Sequence, residues 1–443
     1  MNSAHTLPTM KQTTIVIGAG IAGLAAAHTL KAAGQDVIVV EGSSRPGGRL
    51  VRMQRGNDSA EAGGQGIHSN YRELIRLAGA YGLEGDLIPQ TNHQPAYLDR
   101  AGNLRYPQGR TGITKLMNAR GKRDFAWFAA KYMTFGKKFD LFETALDLPG
   151  YDNLSAAEAF SWAGEDFRDF ILRPSAHAMA NTTPEHTNLY HYMNLMRLVA
   201  TTSVMTLRTG NVTLPEKIAA AVGVRYECPA EKISFSGRKV DGVVLASGES
   251  IKADHVIVAT PVGYAAKLMP DHLANARTFL GGFPNAPFGL VYFFLDRPLM
   301  TDAYVYLGHA YRDTVFNMAI NHSVKTPHMV PSGKGILSAW PCYPNSADFD
   351  QLTNTELINL ALKDIDAFFP GVAEYVEEAR VQRHPWGVGR LSVGQHAKIL
   401  KFKKDAESFS GISFAGNDYD GVHMESAVRS GMRAANRVLA GIS

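Results

Sequence analysis

An α/β fold in two domains is predicted by three features of the sequence. A strand, a glycine-rich turn, a helix and a second strand follow one another near the N-terminus. The middle of the chain first has long helix-like runs, at residues 123–139, 154–180 and 188–202, and is then rich in alternating, strand-like runs. A strand, a glycine turn and a helix return at the C-terminus. Because 443 residues are too many for one ordinary core, we expect a domain formed by both ends of the chain and a second domain inserted into it.

The N-terminal unit, TTIVIGAGIAGLAAAHTLKAAGQDVIVVE, has the pattern of a strand, a turn, a helix and a strand. Residues 14–17 form a short apolar run suited to a buried parallel strand. Gly34 follows the predicted helix, and residues 37–40 form a second strand that ends in Glu41. The turn carries a GxGxxG pattern formed by Gly18, Gly20 and Gly23.

This arrangement predicts a Rossmann-type dinucleotide-binding domain. Gly18 allows the tight turn, Gly20 lets the backbone approach a pyrophosphate, and Gly23 lets the helix pack closely on the strands. The helix N-terminus offers free N–H groups and the positive end of its dipole to the phosphates. Glu41, about 20 residues further on, can accept hydrogen bonds from ribose hydroxyls. A glycine turn in an ordinary α/β protein would leave Glu41 unexplained.

The next segment, GSSRPGGRL, indicates which dinucleotide is bound. With Glu41 before it, it resembles the E-x-x-x-x-x-GGR pattern of the flavin amine oxidase superfamily, which includes monoamine oxidases, protoporphyrinogen oxidases and carotenoid desaturases. The resemblance implies that the backbone and the arginine of Gly47, Gly48 and Arg49 lie along the diphosphate and ribityl chain of FAD. A nicotinamide dehydrogenase has no need of this segment.

Five further segments resemble the same family in the same order. AEAGGQGIHS resembles the stretch beside the isoalloxazine ring, which implies flavin contacts for Gly63, Gly64 and Gln65, with His68 close by. GNVTLPEKIAAAVGVRYECPAEKI resembles a further stretch of the family. In the family, the position occupied here by Ala230 usually contacts adenine through its backbone. DHVIVATP ends in the small residues Ala259 and Thr260. ISFAGND and HMESAVRSGMRAA resemble the family's last strand and helix. They imply that Gly416 and Asp418 lie near the ribityl or diphosphate region, and that the helix beginning at Met424 points at the flavin pyrimidine.

The order of these segments predicts an amine oxidase-like fold, with a discontinuous Rossmann-type FAD-binding domain and an α+β substrate domain. The FAD-binding domain is expected to contain residues 1–72, 208–275 and 380–443. The substrate-binding domain is expected to contain residues 73–207 and 276–379, with a sheet facing the flavin and helices outside it.

Composition narrows the possible partners. The net charge of +4 is small for this length and does not imply nucleic acid. Cys228 and Cys342 share no CxxC-type spacing, and His177, His186 and His191 show no metal-ligand spacing, so no metal is expected. These three histidines are interpreted as solvated or structural. The polar N-terminus lacks a secretory pattern and no apolar run reaches the length of a membrane span, which predicts a cytoplasmic protein.

One basic and aromatic segment, residues 110–138, leaves a peripheral membrane contact open. Its basic residues outnumber a single acid, Asp124, and alternate with aromatic residues. Such a segment can lie on an anionic membrane surface, or it can be a solvated helix that covers the substrate cavity. The basic residues are Arg110, Lys115, Arg120, Lys122, Arg123, Lys131, Lys137 and Lys138, and the aromatic ones are Phe125, Trp127, Phe128 and Tyr132.

The chemistry implied by the resemblance is removal of a hydride from a hydrophobic small molecule by FAD, which carries the redox reaction while the protein orients the substrate. No second GxGxxG follows a strand, so molecular oxygen or a quinone-like carrier is the expected electron acceptor. We expect the FAD to be noncovalent, because no cysteine lies near the C-terminal flavin segment.

Two features of family members that oxidise amines are missing. Many amine oxidases carry a lysine on a strand of the substrate domain, and a water molecule bridges this lysine to flavin N5. The matching run here, PNAPFGLVYFFLDRP, has no lysine. Amine oxidases of the family hold the substrate nitrogen in a cage of two aromatic side chains, one of which directly precedes the C-terminal helix. His423 stands at that position here, and the HPWGVGRLSVGQH segment offers only Trp386 for the second cage position. His423 is therefore the main candidate for contact with substrate, with His68 and Trp386 as candidates for lining the site. His423 could bond or deprotonate the substrate, or only pack at the helix start.

Three functions remain open from the sequence. The first is an FAD-dependent oxidase or dehydrogenase that forms a C=N or C=C bond, as in a nitrogen heterocycle or a pyrrole-type precursor. The second is a conventional amine oxidase, which the missing lysine and cage disfavour. The third is a non-catalytic carrier like the prenyl-GTPase escort proteins, although the FAD-binding residues Glu41, Arg49 and Asp418 are all present.

Overall fold

A computed structural model of the chain describes residues 12–90, 94–109, 112–135, 140–237, 239–301, 303–308 and 314–442. Within these ranges the chain is a mixture of short helices and strands. The strands are β1 (Thr13–Ile17), β2 (Asp36–Val40), β3 (Arg52–Arg55), β4 (Asp58–Glu61), β5 (Ile67–His68), β6 (Leu87–Pro89), β7 (Gln94–Leu98), β8 (Leu104–Arg105), β9 (Val204–Leu207), β10 (Val224–Arg225), β11 (Ala230–Ser236), β12 (Lys239–Leu245), β13 (Ser250–Lys252), β14 (His255–Val258), β15 (Asn285–Leu295), β16 (Ala303–Leu307), β17 (Phe316–Asn321), β18 (Gly335–Pro341), β19 (Val376–Gly389) and β20 (Ile412–Phe414).

The α-helices of the described residues range from a single turn to five turns. They are α1 (Ile21–Ala32), α2 (Arg72–Ala80), α3 (Ala119–Phe135), α4 (Pro149–Asp152), α5 (Ala156–Ala159), α6 (Glu165–Phe167), α7 (Arg173–Ala180), α8 (Leu189–Thr201), α9 (Thr213–Val222), α10 (Val262–Leu268), α11 (Ala274–Gly281), α12 (His322–Lys325), α13 (Asn354–Ile365), α14 (Gln395–Ala406) and α15 (Met424–Ile442). None of them is both long enough and apolar enough to cross a membrane.

The first sheet is parallel and has the strand order β10-β2-β1-β14-β20. Its strands come from three distant parts of the chain, as the predicted discontinuous domain requires. The central strand β1 is almost wholly buried, because neighbouring strands and packed elements cover both its edges and its faces. Helices α1 and α15 pack on one face, and α10, α14 and the β11–β13 sheet pack on the other. The predicted α/β fold class is confirmed.

The second sheet is largely antiparallel and has the order β19-β15-β18-β17-β16-β7-β8. Alternate residues of β15 face opposite sides, as its sequence predicts. Phe288, Tyr292 and their neighbours pack on the β3–β4 hairpin of the first domain, whereas Val291 and Phe293 pack towards α13. The hydroxyl of Tyr292 donates a hydrogen bond of 2.5 Å to the Glu61 carbonyl oxygen. This face of the second sheet therefore lies directly against the segment that follows β4.

The predicted domain boundary at residue 380 falls inside β19. This strand pairs with β15 from Val376 to Gly389, so strand pairing places residues 380–389 in the second sheet. The sequence did not reveal β19 because its first nine residues are mostly polar and it contains Pro385. The proline lies beside a register shift between Ala286 and Phe288 of β15, where a strand tolerates the loss of a backbone donor. The other predicted boundaries remain predictions.

The first insert is helical, but its predicted long helices are broken. Residues 154–180 form α5, α6, a π-helical turn at Arg168–Leu172, and α7. Ser155 caps α5 through a capping box with Glu158, and Gly164 separates α5 from α6. Aromatic side chains from α3, α6 and α8 form the core of this layer. Helix α3 begins at Ala119, four residues before the predicted start, and residues 136–139 at the predicted end lie outside the described residues.

Candidate active site

The glycine turn at the start of α1 forms an open cradle with unused backbone donors. Gly18 has φ +105° and lies so close to β14 that a Cβ atom would approach the Ala259 carbonyl oxygen to 2.7 Å. A Cβ atom on Gly23 would lie 2.0 Å from the Gly18 carbonyl oxygen, which fixes the helix against the turn. At Gly20 a Cβ atom would meet nothing within 4 Å, and no side chain caps the helix. The cradle therefore has space and N–H groups for a phosphate.

Glu41 follows β2 and its carboxylate faces the glycine turn. One carboxylate oxygen accepts a hydrogen bond from the Ala19 amide at 2.7 Å, and the other accepts from the Ser43 amide and hydroxyl at 2.8 Å. The Glu41 carbonyl accepts from the Cys228 amide at 2.9 Å, which brings the segment leading to Ala230 to the same edge. The carboxylate keeps lone pairs for a ribose hydroxyl pair at the place where the sequence predicts one.

Arg49 joins the N-terminal and C-terminal halves of the site. The Gly47 amide donates to the Ala19 carbonyl oxygen at 2.9 Å, so the turn at Gly47 and Gly48 lies beside the cradle. The guanidinium of Arg49 then reaches Asp418 Oδ1 at 3.1 Å and Asn417 Oδ1 at 2.5 Å. These contacts adjoin a narrow crevice lined by Gly389, Leu391, Asn417, Asp418, Gly421 and Val422.

The Gly63–Gln65 segment passes tightly between Arg49 and the start of α15. A Cβ atom on Gly63 would lie 1.8 Å from the Arg49 carbonyl oxygen, and one on Gly64 would lie 3.3 Å from Met424 Sδ. Only glycine allows this flat course of the backbone. Gly416, the N-cap of the turn that holds Asp418, donates its amide to Ser430 Oγ at 3.1 Å, within α15. Thr260 directly follows Ala259, which is bonded to the end of β1.

His423 is buried directly before α15. Its imidazole packs against the rings of Tyr71 and Phe142, with ring centroids 6.3 Å and 5.6 Å away. Burial, together with the neighbouring imidazoles of His191 and His68, lowers the pKa of His423 to about 3. The imidazole is therefore neutral at pH 7 and is a weak proton acceptor in this environment.

Two more imidazoles lie near His423, the half-buried one of His68 and the buried one of His191. His68 bonds through Nδ1 to Thr202 Oγ1 at 2.7 Å, and burial lowers the pKa of His68 to about 4. His191 lies in the first turn of α8, and burial lowers its pKa to about 4 as well. In the described part of the chain, His191 Nε2 has no hydrogen-bond partner. The sequence interpretation of His191 as a solvated or structural residue missed this proximity, because a contact between α8 and the end of the chain has no local pattern.

The other predicted residues are placed as follows. Trp386 packs on α10, where a Cβ atom on Gly263 would lie 1.8 Å from the indole, and its ring lies 5.9 Å from Tyr264. Its described contacts do not bring it to His423 or His68. His177 is buried and bonded to the Pro341 carbonyl oxygen at 3.0 Å, and His186 is bonded to Thr183 at 2.8 Å, both of which suit structural roles. Across the described ranges, no three His, Cys, Asp or Glu side chains are grouped to hold a metal ion.

The basic and aromatic segment, residues 110–138, lies only partly within the described residues. Arg110, Lys137 and Lys138 lie outside the described residues. In α3, Phe128 and Asp124 face the helical layer and are buried, whereas Trp127 is 59% exposed. The exposed face also carries Arg120, Lys122 and Arg123. Arg120 and Arg123 both lie within ion-pair distance of Asp124.

Segments from both ends and the middle of the chain thus converge along one edge of the first sheet, with the second sheet beside them. A glycine turn with open space, a carboxylate that faces this turn and a flat glycine segment are the features expected of an FAD-dependent oxidoreductase. The family model of the flavin containing amine oxidoreductases matches residues 21–439, and the chain belongs to this family. The predicted family, enzyme class and FAD cofactor are confirmed.

Several relatives span almost the full length of the chain. Coproporphyrinogen III oxidase of Bacillus subtilis (strain 168) is 22% identical and covers 97% of this chain and 98% of its own length. Protoporphyrinogen oxidase of Bos taurus is 25% identical, over 97% of this chain and 99% of its own. Among solved structures, cyclohexylamine oxidase from Brevibacterium oxydans IH-35A superposes with a TM-score of 0.76 at 19% identity, over 97% of this chain and 99% of its own. These likenesses support the fold and leave the substrate open.

Proposed function

We propose that this enzyme removes a hydride from a hydrophobic small molecule and forms a C=N or C=C bond in a nitrogen heterocycle or a pyrrole-type precursor. The observation that carries the proposal is the position of His423, a buried and neutral imidazole at the start of α15, where Met424 meets Gly64. Two long relatives are named as porphyrinogen oxidases, which supports a pyrrole-type substrate. Molecular oxygen or a quinone-like carrier is the proposed electron acceptor.

The proposed cofactor contacts follow from the cradle. Gly18, Gly20 and Gly23 would bind the pyrophosphate, Glu41 the ribose, and the backbone at Ala230 the adenine. Arg49 and Asp418 would lie along the ribityl chain, and the Gly63–Gln65 segment would lie beside the flavin ring. When bound, FAD supplies the hydride acceptor. We propose noncovalent binding, because Cys342 belongs to the region after β18 and Cys228 lies at the Glu41 edge, away from Met424.

We propose that His423 orients the substrate by a hydrogen bond. A neutral imidazole can donate from one nitrogen and accept at the other, which suits a pyrrole or imine nitrogen. With a pKa of about 3, lowered mainly by burial, His423 would release a proton too readily to serve as a base at neutral pH. Tyr71 and Phe142 would keep water away from this nitrogen.

A panel of substrates tests the proposal. The purified protein is reduced anaerobically with porphyrinogens, pyrrolines, and primary and secondary amines, and bleaching of the flavin absorbance is followed by stopped flow. We expect porphyrinogens or pyrrolines to bleach the flavin faster than acyclic amines do. Bleaching by acyclic amines alone would establish the amine oxidase alternative. A colourless protein that cannot be reconstituted with FAD would support the carrier alternative instead.

A further inference from the structure

Lys325 brings a buried cation to the segment that the proposed function places beside the flavin. It lies at the end of α12 and is 3% exposed. Its ammonium group donates to the Gln65 carbonyl oxygen at 3.1 Å and to Gln65 Oε1 at 2.5 Å. The Gln65 side chain in turn donates to the carbonyl oxygens of Glu61 and Gly63 at 2.9 Å and 3.1 Å. Lys325 therefore fixes the Gly63–Gln65 segment from the side of the second domain.

Glu61 supplies the opposite charge at the other end of this segment. Its carboxylate is buried, and Oε1 accepts hydrogen bonds from the Asn211 amide at 2.7 Å and from Thr206 Oγ1 at 3.2 Å. Its second oxygen, Oε2, has no partner in the part of the chain that the structure describes. An incompletely bonded, buried carboxylate is costly unless a cation lies nearby, and Lys325 is such a cation.

The environment of the pair brings both protonation changes close to neutral pH. Burial raises the pKa of Glu61 to about 7, against the opposing effects of the Asn211 hydrogen bond and of Lys325. Burial also lowers the pKa of Lys325 to about 8, against the opposing effect of Glu61. Other titratable groups face the pair. The charge of Arg52 acts to lower the pKa of Glu61. The pKa of His322 is lowered well below its usual value, and that of Tyr292 is raised well above it, both mainly by burial, so neither titrates in the same range.

We propose that Glu61 and Lys325 are positioning residues that hold the Gly63–Gln65 segment at the flavin and set the flavin reduction potential through their opposite charges. The proposal rests on the proposed function, which places this segment beside the flavin ring. Reduction adds negative charge to the ring, so a nearby cation favours the reduced form and a nearby anion disfavours it. Because the pair is buried, solvent and salt screen these effects only weakly.

The sign of each effect depends on pH. At about pH 6, below both pKa values, Glu61 is neutral and Lys325 is charged, so the pair carries about one positive charge. At about pH 9, above both, Glu61 is charged and Lys325 is neutral, so the pair carries about one negative charge. Removing one residue therefore changes the local charge at only one of these pH values.

The test measures the reduction potential of the FAD-bound protein against the wild type at the same pH. Lys325→Met is expected to lower the potential at pH about 6 and to match the wild type at pH about 9. Glu61→Gln is expected to match the wild type at pH about 6 and to raise the potential at pH about 9. The reduction potential of the double variant is expected to be lower than that of the wild type at the acid pH and higher at the alkaline pH.

A matched control is Lys334→Met, which removes an exposed ammonium group paired with Glu377. Its potential should equal that of the wild type at both pH values. The proposal would be overturned if each of E61Q and K325M shifted the reduction potential in the same direction at both pH values, or did not shift it at either. The pair would then have a structural role only. If K325M loses FAD, the reduction potential of E61Q at the alkaline pH decides the test alone. A wild-type protein that binds no FAD would overturn the proposed function as well, and this separates the two failures.

Discussion

At the level of single residues, Glu41 is the side chain on which retention of FAD should depend most. Glu41→Ala removes the proposed acceptor of the ribose hydroxyls, and a hydrogen bond to a charged group contributes about 1.5–3 kcal/mol. We expect FAD to bind roughly 10- to 100-fold more weakly, as measured by the ratio of flavin to protein absorbance after gel filtration. The exposed Glu374→Ala is the control. Equal flavin content in the two variants would contradict the placement of the ribose.

His423 gives a second test at this scale. His423→Ala should slow anaerobic flavin reduction by the substrate on the order of tenfold, which corresponds to the loss of one hydrogen bond of about 1–2 kcal/mol. FAD content should stay unchanged, because the proposed cofactor contacts of this region involve Met424 and Asp418. His423→Asn, which keeps a donor and an acceptor, should recover part of the rate. Normal reduction by the alanine variant would leave His423 a packing residue only.

Local sequence patterns identify the proposed cofactor residues but not the buried polar groups around them. Gly20 and Glu41 belong to one short segment with a fixed spacing, so their roles can be inferred from sequence alone. His191 and Lys325 acquire their positions from α8 and α12, which approach the site only after the two domains pack together. Neither residue lies in a motif, and each becomes distinctive only through burial.

At the level of elements, the contact of α1 with α15 aligns the two halves of the site. A Cβ atom on Gly431 would lie 2.0 Å from the Ala22 carbonyl oxygen, so Gly431→Ala must push the helices apart. We expect a loss of about 1–3 kcal/mol in the free energy of unfolding, together with weaker FAD binding. Thermal unfolding measures the first effect. Gly441→Ala, in the same helix but with nothing within 4 Å, should be neutral or slightly stabilising.

Helix α3 provides the test of membrane contact. We propose that its exposed face, with Trp127 and Lys122, contributes to contact with anionic lipid, at about 1 kcal/mol for each basic residue near the surface. The wild type should therefore sediment with vesicles that contain phosphatidylglycerol, but not with pure phosphatidylcholine. The variant with Lys122→Glu and Trp127→Ala should bind less, whereas Lys232→Glu on β11 should not change binding. Equal sedimentation with both lipids would leave α3 a solvated helix.

Elements were predictable where hydrophobic periodicity was strong. The apolar runs of β1, β14 and β15 identified these strands directly. In contrast, the first nine residues of β19 are mostly polar, and the predicted boundary at residue 380 divides this strand, because its apolar neighbour β15 decides its pairing. The sequence predicts one long helix-like run at 154–180, but α5 ends at Ala159 and a new helix, α6, begins after its N-cap Gly164.

At the level of the whole molecule, FAD should join parts of the chain that are far apart in sequence and thereby stabilise the fold. A ligand that binds only the folded state stabilises it by about 2.7 kcal/mol at 100 times its dissociation constant. We expect addition of FAD to raise the melting temperature of the apoprotein in a concentration-dependent manner. For Glu41→Ala the same rise should require more FAD. An unchanged melting temperature in the wild type would contradict binding of FAD to the folded chain.

The division of the molecule into two domains was predictable because the family-like segments occur at both ends and in the middle of the chain. The extent of contact between the domains was not. Tyr292 of the second sheet bonds to the backbone at Glu61, and His384 of β19 bonds to the Ala62 carbonyl oxygen at 2.7 Å. These contacts join residues that are far apart in sequence. The alternation of side chains within a strand predicts which face of the strand is buried, but it does not predict which segment packs on that face.

The packing of α15 on α1 also has a consequence for how the protein is made. The ribosome produces the glycine turn and α1 before it produces β20 and α15. Until α15 emerges, α1 lacks the partner that covers Ala22, and Arg49 lacks Asp418. The cofactor site can therefore be completed only after α15 has left the ribosome, long after the glycine turn has been made.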